Sequence, residues 1–145
     1  MKTNFKFFGL FVLFSLLMFF DECKKEPYVP DPAEKFLGSY NYDMTVTGMS
    51  SLIKTSGSFT IGSTKPSKIY ILSSSGLLTN YTVVNDYKII EDSGQTIDLP
   101  ISGGGTATFT ENSEGILNRN ILTIDGTWSK PGYNIVSFNI VAIKK

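Results

Sequence analysis

The chain has 145 residues, thirteen basic and thirteen acidic, with no histidine and one cysteine. That is one domain's worth of length, and zero net charge argues against a nucleic-acid partner, because phosphate binding needs a basic surplus. Without histidine, neither a Ser-His-Asp nor a Cys-His site can be built, nor a His/Cys metal cluster, and a lone thiol makes no internal disulfide.

The chain opens with Lys2 and Lys6, followed by Phe7–Phe20, in which only Ser15 is polar. Asp21, Glu22, Cys23 and Lys24-Lys25-Glu26 come next. A positive start, a short apolar run and a processing point form an export signal. As a helix the run rises about 21 Å, short of the ~30 Å hydrocarbon core. Cys23 sits where bacterial lipoproteins carry the cysteine that is cleaved at and acylated, and the segment resembles such a signal. The charged tract after it is similar to that of surface-exposed lipoproteins of gut-commensal and flavobacterial Gram-negative bacteria. One departure is that the processing peptidase prefers a small residue before the cysteine, where this chain has Asp21-Glu22. An ordinary secretory peptide and an uncleaved anchor are the alternatives, although no A-x-A-like site is present. The resemblance implies a signal peptide over 1–22 and an acyl group on Cys23. That lipid would hold the protein on the outer membrane, facing the periplasm or the cell surface, without a spanning helix.

Pro27, Pro30 and Pro32 favour extended backbone and read as a tether. Asp31-Pro32-Ala33-Glu34 looks like a helix start, with Asp as N-cap and Pro at the first helical position. Gly38 limits that helix to about a turn and a half. Residues 23–35 are therefore expected to form the acylated cysteine, tether and short helix, and residues 36–145 the folded domain.

From there the pattern has period two. Tyr40, Tyr42, Met44 and Val46 alternate with polar residues, as in a half-buried strand. Further strands are expected over 51–62 (with a bulge at Gly57), 68–73, 79–84, 87–91, 95–101, 106–111, 119–128 and 133–143. Asn85-Asp86 should form a two-residue turn, and Asn112–Asn118 a loop. Leu122, Ile124 and Trp128 fall on one face. After Leu37 no apolar stripe of helical period reaches ten residues. The expected fold is all-β, an antiparallel up-and-down meander of about eight strands, closed or partly open as a barrel, with one short N-terminal helix.

A short helix running into Lys35-Phe36-Leu37-Gly38-Ser39-Tyr40 resembles the lipocalin opening, in which Gly-x-Trp starts the first strand and the helix closes the barrel's bottom. Gly38 matches, and Tyr40 stands at the Trp position. The resemblance implies a small apolar ligand inside the barrel and transfers no binding residue.

Other candidate chemistry is sparse. Gly103-Gly104-Gly105 lacks the Lys-Ser/Thr of a phosphate loop and reads as a turn. Glu91, Asp92, Asp98, Glu111 and Glu114 lack calcium-loop spacing and read as solvated loop carboxylates. Trp128 and the tyrosines are strand and core formers that could also line a pocket or stack on a sugar; Tyr40, Tyr42, Tyr70 and Trp128 are the candidate ligand contacts. No catalytic residue, metal or cofactor is expected. The leading reading is a non-catalytic binder of a small apolar or glycan ligand. A surface module that contacts a partner protein is the alternative, and a carboxylate-only hydrolase is a third.

Overall fold

A computed structural model describes residues 28–49, 52–74, 78–101 and 104–145. The expected signal segment and Cys23 lie outside the described residues. Asp31–Lys145 forms one compact unit. Among the described residues, no helix is long and apolar enough to cross a membrane.

The domain is all-β. Among the described residues, nine strands follow one short 3₁₀ turn, Pro32–Lys35: β1 (Gly38–Thr47), β2 (Ile53–Lys65), β3 (Lys68–Ser73), β4 (Leu78–Asn85), β5 (Lys88–Glu91), β6 (Thr96–Pro100), β7 (Thr106–Asn118), β8 (Ile121–Ser129) and β9 (Val136–Lys144). Every pairing is antiparallel. β1 through β5 form a meander, β7 through β9 continue it, and β9 pairs back onto β1. β5 pairs with β7 through Lys88–Ile90 and so closes a ring of eight strands. β6 is the extra strand: it lies along the first half of β7, which leaves the second half to β5. A closed eight-stranded antiparallel barrel is consistent with a lipocalin-like fold, and closure leaves β6, paired on β7 alone, with a free edge.

The period-two pattern is the physical cause of the ring. Buried residues share one parity on each strand: Tyr40 and Val46 on β1, Phe59 and Ile61 on β2, Ile69 and Ile71 on β3, Leu122, Ile124 and Trp128 on β8. The core they form is continuous with Ala33 and Phe36 of the short turn. That turn therefore belongs to the barrel, and a domain boundary at 36 cuts it off. It closes one end. Asp31 Oδ1 accepts from the Ala33 amide at 3.0 Å, the expected capping bond, and from the Ser67 amide at 3.1 Å in the β2–β3 turn. Lys35 pairs with Asp86 in the β4–β5 turn. Tyr40, fully buried at the position where the lipocalin pattern has Trp, donates its hydroxyl to the Phe36 carbonyl at 2.8 Å. Gly38, at φ 136°, makes the turn from helix to strand, a conformation open to glycine alone without strain.

Four local expectations differ from the structure. β7 runs on through Asn118, so Asn112–Asn118 is strand, and the turn is Arg119-Asn120. The missed half alternates as well: Ser113 and Leu117 are buried between exposed neighbours, but Ser and Gly at inward positions hide the apolar signal. Gly57 pairs regularly with Tyr42 and is not a bulge. The Tyr42 ring fills the space over Gly57, at 3.0 Å from where its Cβ would be, and the register shift falls instead between Ser63 and Lys65. The β4–β5 turn is Asp86-Tyr87, one residue later than expected, because the Asn85 side chain accepts from the Tyr87 and Lys88 amides. The last strand starts at Val136 rather than Tyr133.

Candidate functional site

The barrel interior is apolar near the closed end and polar towards the middle. Phe59 lies between Tyr40 and Tyr42, with ring centroids at 5.3 and 5.5 Å. On the neighbouring strands β8 and β9, Trp128 stacks on Phe138 at 4.5 Å. Phe138 fits so close because Gly126 beneath it has no side chain; a Cβ there would lie 2.3 Å from the phenyl ring. Between these walls is a cavity of about 130 Å³, lined by Tyr42, Phe59, Tyr81, Glu111, Trp128 and Phe138 together with aliphatic and hydroxyl side chains.

Two carboxylates reach the interior, against the expectation that Glu91 and Glu111 are solvated loop groups. Both sit on strands at inward positions: Glu91 shares the parity of Ile89, and Glu111 that of Ala107 and Phe109. Glu91 is 8% exposed. Its Oε2 accepts from the Ser113 hydroxyl at 2.9 Å, and its Oε1 from the Gln95 carboxamide at 3.2 Å. The Ser113 hydroxyl also meets the Tyr81 hydroxyl at 2.9 Å. Glu111 lies opposite Trp128 in the β7–β8 register, and its Oε2 accepts from the indole N–H at 3.3 Å. Burial pushes Glu91 up to about 7 and also raises Glu111, since removal from water disfavours the charged form. Burial holds the Tyr40 hydroxyl up at about 12 as well.

Gln95 organises the junction between β5 and β6. Its carboxamide donates to the Asn80 carbonyl at 2.8 Å and accepts from the Asn80 amide at 2.7 Å. A side chain thus takes the place of a strand partner for β4 just past the end of its ladder with β5. Outside the barrel, Asp92 beside this junction is paired with Lys68 at 2.7 Å and bonded to Thr82, and both hold its carboxyl below the usual range.

A second, more open space of about 490 Å³ lies at the end of the barrel away from the short turn, lined by Met49, Leu99, Ile101, Phe109, Tyr133 and Val136 among others. Phe109 and Tyr133 meet edge-on there at 5.5 Å. Among the described residues it has no charged lining residue, whereas the smaller cavity has Glu111.

No protein-family model and no curated protein matches this chain.

The four candidate contacts named from the sequence separate. Tyr42 and Trp128 line the inner cavity. Tyr40 is inside but below it, fully buried against the short turn. Tyr70 lies on the other face of β3 from buried Ile69 and Ile71, and its ring covers Gly62 on β2, where a Cβ would meet it at 2.3 Å. It shares nothing with the cavity. Sequence reasoning missed Glu91, Ser113 and Glu111 as interior groups, because polar residues at apolar positions look like the end of a strand.

Proposed function

We propose that this chain is an exported, membrane-anchored lipoprotein whose lipocalin-like barrel is a non-catalytic binder of a small apolar or glycan ligand. The observation that carries the binding half is the cavity of about 130 Å³ between the aromatic walls of a closed barrel. Natural interiors rarely leave voids larger than a water molecule, so a cavity lined by rings and a few polar groups is the default place for a ligand. Trp128 lines it and is the chain's one tryptophan, which makes its emission a direct reporter. Titration with one-ring hydrocarbons and with monosaccharides is expected to shift or quench that emission for one of the two classes. If neither class changes emission or melting temperature, the binding reading is wrong. Turnover of a glycoside during the titration would replace binding by hydrolysis. Glu91 favours the binder over that third reading, because it is held by Ser113 and Gln95 and is not part of the cavity wall.

The anchoring half rests on Cys23 directly after the apolar run. Metabolic labelling with an alkyne fatty acid is expected to mark the wild type and not Cys23→Ser. Equal labelling of both would remove the lipid from the proposal.

A surface module contacting a partner protein is the second reading, and one feature favours it. On the outer flank Ile121 faces Ile143 across β8 and β9, beside Val141 and Ile116, and all four are 42–53% exposed. An outer apolar cluster of this kind is a common contact surface.

A further inference from the structure

Among the described residues, the inner cavity has one charged lining residue, Glu111. Its partners are uncharged. The indole N–H of Trp128 donates to Oε2, while the Ser113 hydroxyl proton goes to Glu91. The other interior carboxylate, Glu91, bonds to Ser113 and Gln95. Among the described residues, the ion pairs are Lys35–Asp86, Lys68–Asp92 and Lys88–Glu114, and none includes Glu91 or Glu111. Among the described residues, two carboxylates therefore face the barrel interior, and neither has a cationic side-chain partner. A carboxylate has about four acceptor positions, so Glu111 has capacity beyond the indole bond. Holding such a group without an opposite charge is costly, and a ligand that brings that charge would remove the cost.

The rest of the wall fits the same ligand. Tyr42, Phe59, Trp128 and Phe138 present rings, and aromatic faces attract cations as well as apolar bodies. About 130 Å³ is close to the ~150 Å³ that accommodates a single benzene ring. An anion would be repelled by Glu111, and a purely apolar ligand would leave it unpaired.

We propose that the inner cavity is a site for a small one-ring amine, whose ammonium group pairs with the Glu111 carboxylate while its ring lies between the Tyr42–Phe59 and Trp128–Phe138 walls. This deepens the proposed function and rests on its reading of the barrel interior as a ligand site.

The test compares benzylamine with benzyl alcohol, which has the same ring and the same number of heavy atoms but no charge. Each is titrated into the purified chain near neutral pH, with Trp128 emission and calorimetry as readouts. Benzylamine is expected to bind at least ~10-fold more tightly, the size of one charge-assisted hydrogen bond over a neutral one. Glu111→Gln is expected to bring the two within about twofold by weakening the amine and leaving the alcohol nearly unchanged. Circular dichroism checks that the variant folds, and the wild type supplies a readout that needs no variant. The titratable groups facing Glu111 are Glu91 on β5 and Tyr81 on β4; its neighbour on β8, Trp128, carries no charge. Acidification that protonates Glu111 is expected to erase the preference for the amine without weakening the alcohol. Equal binding of both probes to the wild type overturns the amine assignment and leaves the barrel as a binder. Binding of neither, in either pocket, overturns both.

Discussion

Trp128→Ala is expected to lower the unfolding free energy by about 3–5 kcal/mol, the usual cost of truncating a buried aromatic residue. The indole is 6% exposed and stacks on Phe138 at 4.5 Å with a 29° interplanar angle. Its removal costs three things at once. It takes away apolar area from the core and enlarges a cavity that is already present. It takes from Phe138 its stacking partner. It also leaves the half-buried Glu111 carboxylate without its indole donor, a loss of at most about 1–3 kcal/mol that water reaching the group reduces. Since whole domains are stable by about 5–15 kcal/mol, the variant should sit near its unfolding threshold at room temperature. Urea denaturation followed by far-ultraviolet circular dichroism measures the loss, because the variant has no tryptophan to follow. A loss below about 1 kcal/mol would mean that the indole contributes as a surface side chain does. Wild-type emission should be blue-shifted from that of tryptophan in water, in keeping with its burial.

The barrel was legible because its walls are written in alternation. Tyr40, Tyr42, Met44 and Val46, and again Leu122, Ile124 and Trp128, announce both a strand and the side it turns inward. The short helix start was legible from Asp31-Pro32, a cap whose chemistry is local; that it is one 3₁₀ turn, with Asp31 also holding Ser67, depends on a contact 36 residues away. The polar interior was hidden for the same reason that the walls were visible. On β7, inward positions 111, 113 and 115 are Glu, Ser and Gly, so an apolar template stops at Phe109 and reads the rest as loop. What makes those residues tolerable inside is non-local: Ser113 meets Tyr81 and Glu91, and Ile89 and Ile124 fill the space over Gly115. Tyr70 shows the converse limit. Lys68–Ser73 is apolar on both sides of it, and only the pairing that buries Ile69 and Ile71 sends the tyrosine outward.

The protein is expected to become less stable as pH rises from about 5 to 8, the reverse of an ordinary acid-sensitive domain. The chain has no histidine, so few groups titrate in that interval. Glu91 is one of them, raised from 4.5 to about 7 by burial. Its folded pKa lies above its unfolded one, so between these values the folded state binds more protons than the unfolded state. Stability from the protonated form is then fully present below about 4.5 and lost as pH rises through about 7. At about 1.4 kcal/mol per pKa unit, the shift corresponds to about 3–4 kcal/mol between the two plateaus. Glu111 is raised by the same cause and adds in the same direction. Asp92, lowered from 3.8 by Lys68 and Thr82, has the opposite sign, but its contribution is lost only as pH falls below that value, outside the interval. Urea midpoints at pH 5 and pH 8 and constant ionic strength are therefore expected to differ in favour of pH 5. Glu91→Gln keeps a polar partner for Ser113 and Gln95 but cannot ionise. It should flatten the profile, match the wild type near pH 5 and exceed it at pH 8. A wild-type stability that is level or rises between pH 5 and 8 would show that Glu91 is ionised at no cost inside the barrel. In that case a cation or water must already reach it.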